Sequence, residues 1–210
     1  DKADALRQKQ LFSIIQNQFF NNGLFRIANR PNDVRECLQI NTMLMNFLHN
    51  LCGVTPDRAH PITGDGSVDL FLSERLNVGI RRACYLASTG DPEGAFVVLE
   101  DTVSMLEKAM SLPNGTMLTC TSISLEGESF EIWHESREEE GVYRPFLRLY
   151  RPRLGEVEYV ATIGSGFPIF ALTSPTGWEW FDPIRTDPRF ATYVERVKAV
   201  FAPVAEEKLP

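Results

Sequence analysis

From Tyr85 to Thr102 the chain reads Tyr-Leu-Ala-Ser-Thr-Gly-Asp-Pro-Glu-Gly-Ala-Phe-Val-Val-Leu-Glu-Asp-Thr, which writes a helix, a tight turn and a second helix. Gly90 stands where the first helix must stop in a left-handed residue, a conformation that costs glycine little. Asp91 can cap the following helix, and Pro92 fits its first position, where no backbone donor is needed. Three local signals agree on one turn. Two helices joined so closely must pack side by side, and neither can bury its apolar face alone.

The 210 residues suffice for one sizeable core or two small ones. Lys and Arg number 21 against 28 Asp and Glu, a formal charge of -7, which repels a phosphate backbone unless cations gather on one face. Arg144, Arg148, Arg151 and Arg153 do gather, but they follow the acid run Glu138, Glu139, Glu140, and mutual neutralisation across a hairpin is the expectation. No apolar run approaches the roughly twenty residues needed to span a bilayer, and the N-terminus is polar and charged. A cytoplasmic protein without membrane contact is expected. The start at Asp1, without a methionine, points to a processed product or, in preference, to a segment cut from something longer. Cys37, Cys52, Cys84 and Cys120 lack metal-site spacing and read as buried thiols; with His49, His60 and His134 equally scattered, no metal or other cofactor is expected.

Apolar residues at helical spacing predict a first helix over about 3–20, carrying Leu6, Leu11, Ile14, Ile15 and Phe19. A second is expected after Asn32, bearing Val34, Leu38, Met45, Leu48 and Leu51 and stopping at Gly53. The stretch 54–66, with Pro56, Pro61, Gly64 and Gly66, reads as a connecting loop. Ser67 is the expected cap of a third helix with Leu70, Phe71, Leu76, Ile80, Ala83, Cys84 and Ala87. The fourth carries Ala95, Val98, Leu99, Val103 and Leu106.

After Pro113 the period changes. The segments 116–124, 129–134, 142–150 and 156–163 are short, rich in Thr, Val, Ile, Tyr and Phe, and separated by turn residues, Leu125–Glu128 among them. They predict a small antiparallel sheet. The competing reading is extended loops over the helices, because Pro145 and Pro152 would interrupt central strands. Asp187 and Pro188 supply the cap and first turn of a last helix with Phe190, Tyr193, Val194, Val197 and Phe201. The predicted fold is mainly α, antiparallel helical hairpins with a small antiparallel β element in the C-terminal half (α+β). Residues 1–112 form the hairpin region, and 113–210 the β element and closing helix, packed on the first as one unit.

Residues that would carry catalysis are sparse. Gly164-Ser-Gly166 reads as a flexible turn, without a following helix or a phosphate-binding lysine, and Ser165 lacks the spacing of a nucleophile elbow. Glu138 to Glu140 read as a solvated loop, since adjacent carboxylates in a run share no desolvated pocket. Asn114-Gly-Thr116 matches a glycosylation sequon with nothing to indicate secretion. The chain reads as a non-enzyme. Asn77, Arg81 and Tyr85 recur every four residues on one face of the third helix, away from most of the apolar stripe. Such side chains pair peptide amides and carboxylates. They are the candidate ligand-binding residues, with an ordinary solvated helix face as the alternative; Trp178, Trp180 and Phe181 form a second possible contact surface, or packing for the last helix.

The paired helices with small Ala83, Gly90 and Ala95 resemble a degenerate tetratricopeptide repeat. With Leu112-Pro113, Thr119-Cys-Thr-Ser122 and Phe181-Asp-Pro-Ile-Arg-Thr-Asp-Pro-Arg-Phe190, the span from about Leu70 to Val200 resembles the C-terminal half of Xre-type helix-turn-helix regulators. Gly79 and Arg82 depart from that pattern, standing where large apolar residues are usual. Thr102 replaces a small alanine, and the closing proline arrives late, at Pro113. The resemblance implies the sensing or dimerisation portion of a bacterial transcriptional regulator, binding a peptide, small ligand or protein partner, with a homodimer as one option. DNA would be bound only through a domain preceding these residues. The alternative is a freestanding tetratricopeptide-like interaction scaffold unrelated to DNA.

Overall fold

The computed structural model describes residues 34–66, 68, 71–119, 129–139, 141–151, 158–164, 166–174 and 178–204. The helix expected over 3–20, the Ser67 cap and the Leu125–Glu128 loop lie outside them. Helix α1 spans Val34–Cys52 and ends at Gly53, whose φ of 66° gives the left-handed stop that glycine permits. Its buried stripe is Cys37, Leu44, Met45, Leu48 and Cys52.

Helix α2, Leu72–Ser88, begins after Phe71, which makes no side-chain cap. It ends as the turn chemistry dictates. Gly90 has φ 91°, and its neighbours' amides return to the last turn, Thr89 N to Tyr85 O at 2.9 Å and Asp91 N to Leu86 O at 2.9 Å. Helix α3, Pro92–Ser111, starts with the Asp91 carboxylate accepting from Gly94 N at 2.9 Å. The hairpin closes tightly: a Cβ placed on Gly79 of α2 would stand 2.1 Å from the Thr102 Oγ1 of α3. The departures at positions 79 and 102 are therefore matched to each other, one side having given up its side chain where the other kept one.

Helix α2 is central rather than amphipathic. It touches α1, α3, the last strand and three later helical segments, and Glu74, Arg75 and Arg81 are buried in it along with its apolar residues.

The sheet is real: strands β1 Thr116–Thr119, β2 Ser129–Glu139, β3 Val142–Arg151 and β4 Glu158–Ile163 form an antiparallel meander in the order β1-β2-β3-β4. Leu118, Phe130, Ile132, Leu147, Leu149 and Ile163 are buried on one face, as alternation requires. The same contiguous core includes residues of the helices. Strand β2 continues through Glu138 and Glu139, which the sequence placed in a loop. The turn at Gly141, φ 79°, sets Glu139 opposite Val142 and Glu138 opposite Tyr143. Of the expected acid and arginine clusters, Glu140, Arg153 and the side chain of Arg151 lie outside the described residues. Arg148 pairs with Glu135 at 3.1 Å. Arg144 faces Arg137 and donates to the Phe201 carbonyl at 3.1 Å.

Pro145 sits inside β3 without breaking it. Strand β4 pairs only as far as Leu147, and Val204 N donates to Tyr143 O at 2.9 Å from the outer side. Residues two apart on a strand face the same way, so the nitrogen of Pro145 also points outward, where no ladder bond is lost.

Helix α4, Gly166–Thr173, follows the Gly164-Ser-Gly166 turn, contrary to the expectation that no helix would. Pro168 lies in its first turn, where a missing donor is harmless. A 3-10 turn, Glu179–Phe181, leads into the short α5, Asp182–Arg185, and α6, Pro188–Val200. The Asp187 carboxylate caps α6 by accepting from Arg189 N at 2.9 Å. Phe181 and Phe190 pack at 5.3 Å, so the Trp178–Phe181 stretch is in part packing for the last helix.

Helix α6 lies against α3 along a ladder of charges. Arg189 reaches Glu93 at 2.9 Å, and Arg196 reaches Glu100 and Glu107 at 2.7 Å each. The hydrogen bond from Arg196 holds the Glu100 carboxyl below its usual range near 4.5. A carboxylate with a depressed folded-state pKa stabilises above the ordinary glutamate range, and that contribution is lost as pH falls through it. Arg196→Gln is thus expected to flatten the loss of stability between pH 5 and 3, read as urea midpoints at each pH, with a smaller difference in high salt. An unchanged acid limb would show that the ladder does not couple to folding.

Candidate functional site

The three candidate ligand-binding residues share one side of α2, but that side is largely turned inward. Asn77 is half-buried and donates to the Ser73 carbonyl at 3.0 Å, a bond within its own helix. Arg81 is 8% exposed and Tyr85 1%. The Arg81 guanidinium lies 5.2 Å from the Trp178 ring and 5.7 Å from the Phe167 ring, and it hydrogen-bonds Tyr85. Tyr85 meets the Trp180 ring edge-on at 5.4 Å. Burial pushes its hydroxyl up to about 12, against the pull of Arg81. The solvated helix face offered by spacing alone is contradicted for Arg81 and Tyr85, because α4 and the Trp178–Phe181 segment close over them. Arg81→Ala is expected to destabilise the protein by about 2–4 kcal/mol through lost ring contacts and the bond to Tyr85, measured by urea unfolding.

A different set of polar side chains converges on main chain. The strap, residues 54–66, crosses the three helices and is exposed over 55–59 but buried at Ile62, Thr63 and Gly64. Its start is folded by Asp57, whose carboxylate accepts from Ala59 N at 2.8 Å and His60 N at 2.6 Å. Asp101 of α3, 6% exposed, then takes both amides of the buried peptide, Ile62 N at 2.7 Å and Thr63 N at 3.1 Å, and the Thr63 hydroxyl at 2.6 Å.

The carbonyl side of the same peptide is read as closely. Arg75 of α2 donates to Ile62 O, and His49 Nε2 of α1 lies 3.1 Å from that oxygen. A carbonyl only accepts, so Nε2 carries the proton. Lys108 of α3 donates to Gly66 O at 3.0 Å. Gly64, φ 79°, has Val54 Cβ 2.9 Å from where its own Cβ would be, and no other residue would fit the turn that presents the peptide.

A buried carboxylate, a guanidinium and an imidazole, from three helices, thus hold two successive peptide groups by their main chain, with Ile62 as the apolar anchor. The segment they hold is a turn of the chain itself; a serine or cysteine nucleophile is not part of the arrangement. The sequence reasoning missed it because Asp101 and Thr63 stand 38 residues apart, and Asp101 occupies a position that periodicity alone assigns to a polar face. Cys84 is buried in α2, and burial pushes its thiol well above the ordinary range, an unreactive state. Among the described residues no group of His, Cys, Asp and Glu could hold a metal ion, and no helix is long and apolar enough to cross a membrane.

No family model, curated protein or solved structure matches this chain.

Proposed function

We propose that the chain is a non-catalytic module that binds a peptide or protein partner, and that it serves as the sensing and dimerisation portion of a bacterial transcriptional regulator. The observation that carries the binding reading is the capture of the Ile62–Thr63 main chain by Asp101, Arg75 and His49. Such groups satisfy the amides and carbonyls of a polypeptide without regard to most side chains. The link to a regulator rests on the resemblance of the hairpin and closing segments. The same capture favours, as a second reading, a freestanding scaffold, since peptide recognition needs no DNA.

The discriminating experiment compares this chain with the product of its full coding sequence. Binding of promoter fragments by the longer protein alone, at stated salt, supports the regulator reading. If neither binds DNA and the protein co-purifies with a stoichiometric partner, the scaffold reading replaces it.

A further inference from the structure

We propose that the Ile62–Thr63 turn of the strap is an internal ligand, occupying in cis the site at which a partner's segment of the same turn conformation binds. This rests on the peptide-binding reading and specifies its regulation. The anchor is small: only Ile62, Thr63 and Gly64 are buried, with exposed residues 55–59 before them and the exposed Asp65 after. Its hold is mostly polar, through Asp101, Arg75 and His49. A segment from outside needs only one apolar side chain, followed by a residue with a hydroxyl and then by glycine, to reproduce every one of those bonds.

Gly64 and Gly66, at φ 79° and 73°, turn the backbone on one side, where Lys108 holds the Gly66 carbonyl from the exposed surface, and the local Asp57 turn keeps the other side compact without contributing to the anchor. Release leaves the Asp101 carboxylate without the three donors it accepts from, and a replacement must supply them again in the same places, which restricts the partner to main chain with an apolar-hydroxyl-glycine pattern. Occupation in cis also sets a threshold, because apparent affinity for an outside segment falls by the fraction of molecules in which the strap is open.

The test uses a labelled peptide copying Arg58–Gly66 and the chain with Ile62→Ser and Thr63→Gly, which weakens the internal anchor. Fluorescence polarisation should show at least about tenfold tighter binding to the altered chain than to the unaltered one. Adding Asp101→Asn to the altered chain should abolish that gain. In the isotope-labelled unaltered chain, saturating unlabelled peptide should speed hydrogen exchange at the Ile62 and Thr63 amides, which Asp101 holds. Circular dichroism establishes that the variants fold; should the altered chain be unfolded, the exchange measurement on the unaltered chain decides alone. A folded altered chain that binds the peptide no better, or exchange unmoved by saturating peptide, overturns cis occupancy. Co-purification of a partner with the unaltered chain, despite that result, would leave the binding role standing at another surface.

Discussion

Asp101→Ala is expected to lower the free energy of unfolding by about 3–5 kcal/mol, the largest loss expected from any single polar side chain among the described residues. The carboxylate accepts from Ile62 N, Thr63 N and Thr63 Oγ1, and its removal strands three donors in a site where water is excluded. Asp101→Asn keeps the volume and one acceptor oxygen and should cost about half as much. Urea denaturation with an unchanged m-value measures the difference, and hydrogen exchange at the Ile62 and Thr63 amides reads the strap directly. A shift under about 1 kcal/mol, with those amides still protected, would show that the strap is held chiefly by Ile62.

Gly79→Ala is the second large effect, and its sign opposes helix propensity. An exposed glycine replaced by alanine inside a helix gains about 1 kcal/mol. Here the new methyl would meet Thr102 Oγ1 at 2.1 Å and Cγ2 at 2.8 Å, a clash that only separation of α2 and α3 relieves. The net result should be a loss of about 2–3 kcal/mol. Thr102→Ala in the same chain should recover most of it, because it removes the obstructing atoms together with a buried hydroxyl that has no hydrogen-bond partner among the described residues. Additive losses in the double variant would mean that the helices do not meet at this point.

The parts legible in the sequence are those whose chemistry is local. Gly90, Asp91 and Pro92 act through their own backbone and the amides beside them, so the α2–α3 turn forms as read. The same holds for Gly53, and for Asp187 and Pro188. The strands were legible by composition, but their ends were not: β2 runs on through Glu138 and Glu139 because a two-residue turn at Gly141 keeps the ladder paired to its end. Helix α4 was hidden by being apolar all round, which leaves no period to detect.

The candidate site shows the same limit more sharply. Spacing put Asn77, Arg81 and Tyr85 on one face, and they are there; whether that face meets water is decided by Phe167, Trp178 and Trp180, about 80–100 positions further along the chain. The strap read as a mere connection because its anchoring partners lie on three separate helices. One long-range signal was present and could be used: Glu93, Glu100 and Glu107 recur every seven residues, as Arg189 and Arg196 do, and those are the groups that pair α3 with α6.

Pro145 has a bearing on self-association as well. Beyond Leu147, where β4 stops pairing, the outer margin of β3 would be a template for another chain's strand, the usual seed of edge-to-edge aggregation. Pro145 offers no donor there, and Val204 occupies the neighbouring Tyr143 carbonyl. Two modest devices thus blunt this stretch against fibrous growth, and any symmetric pairing of two copies would have to use a surface other than this margin.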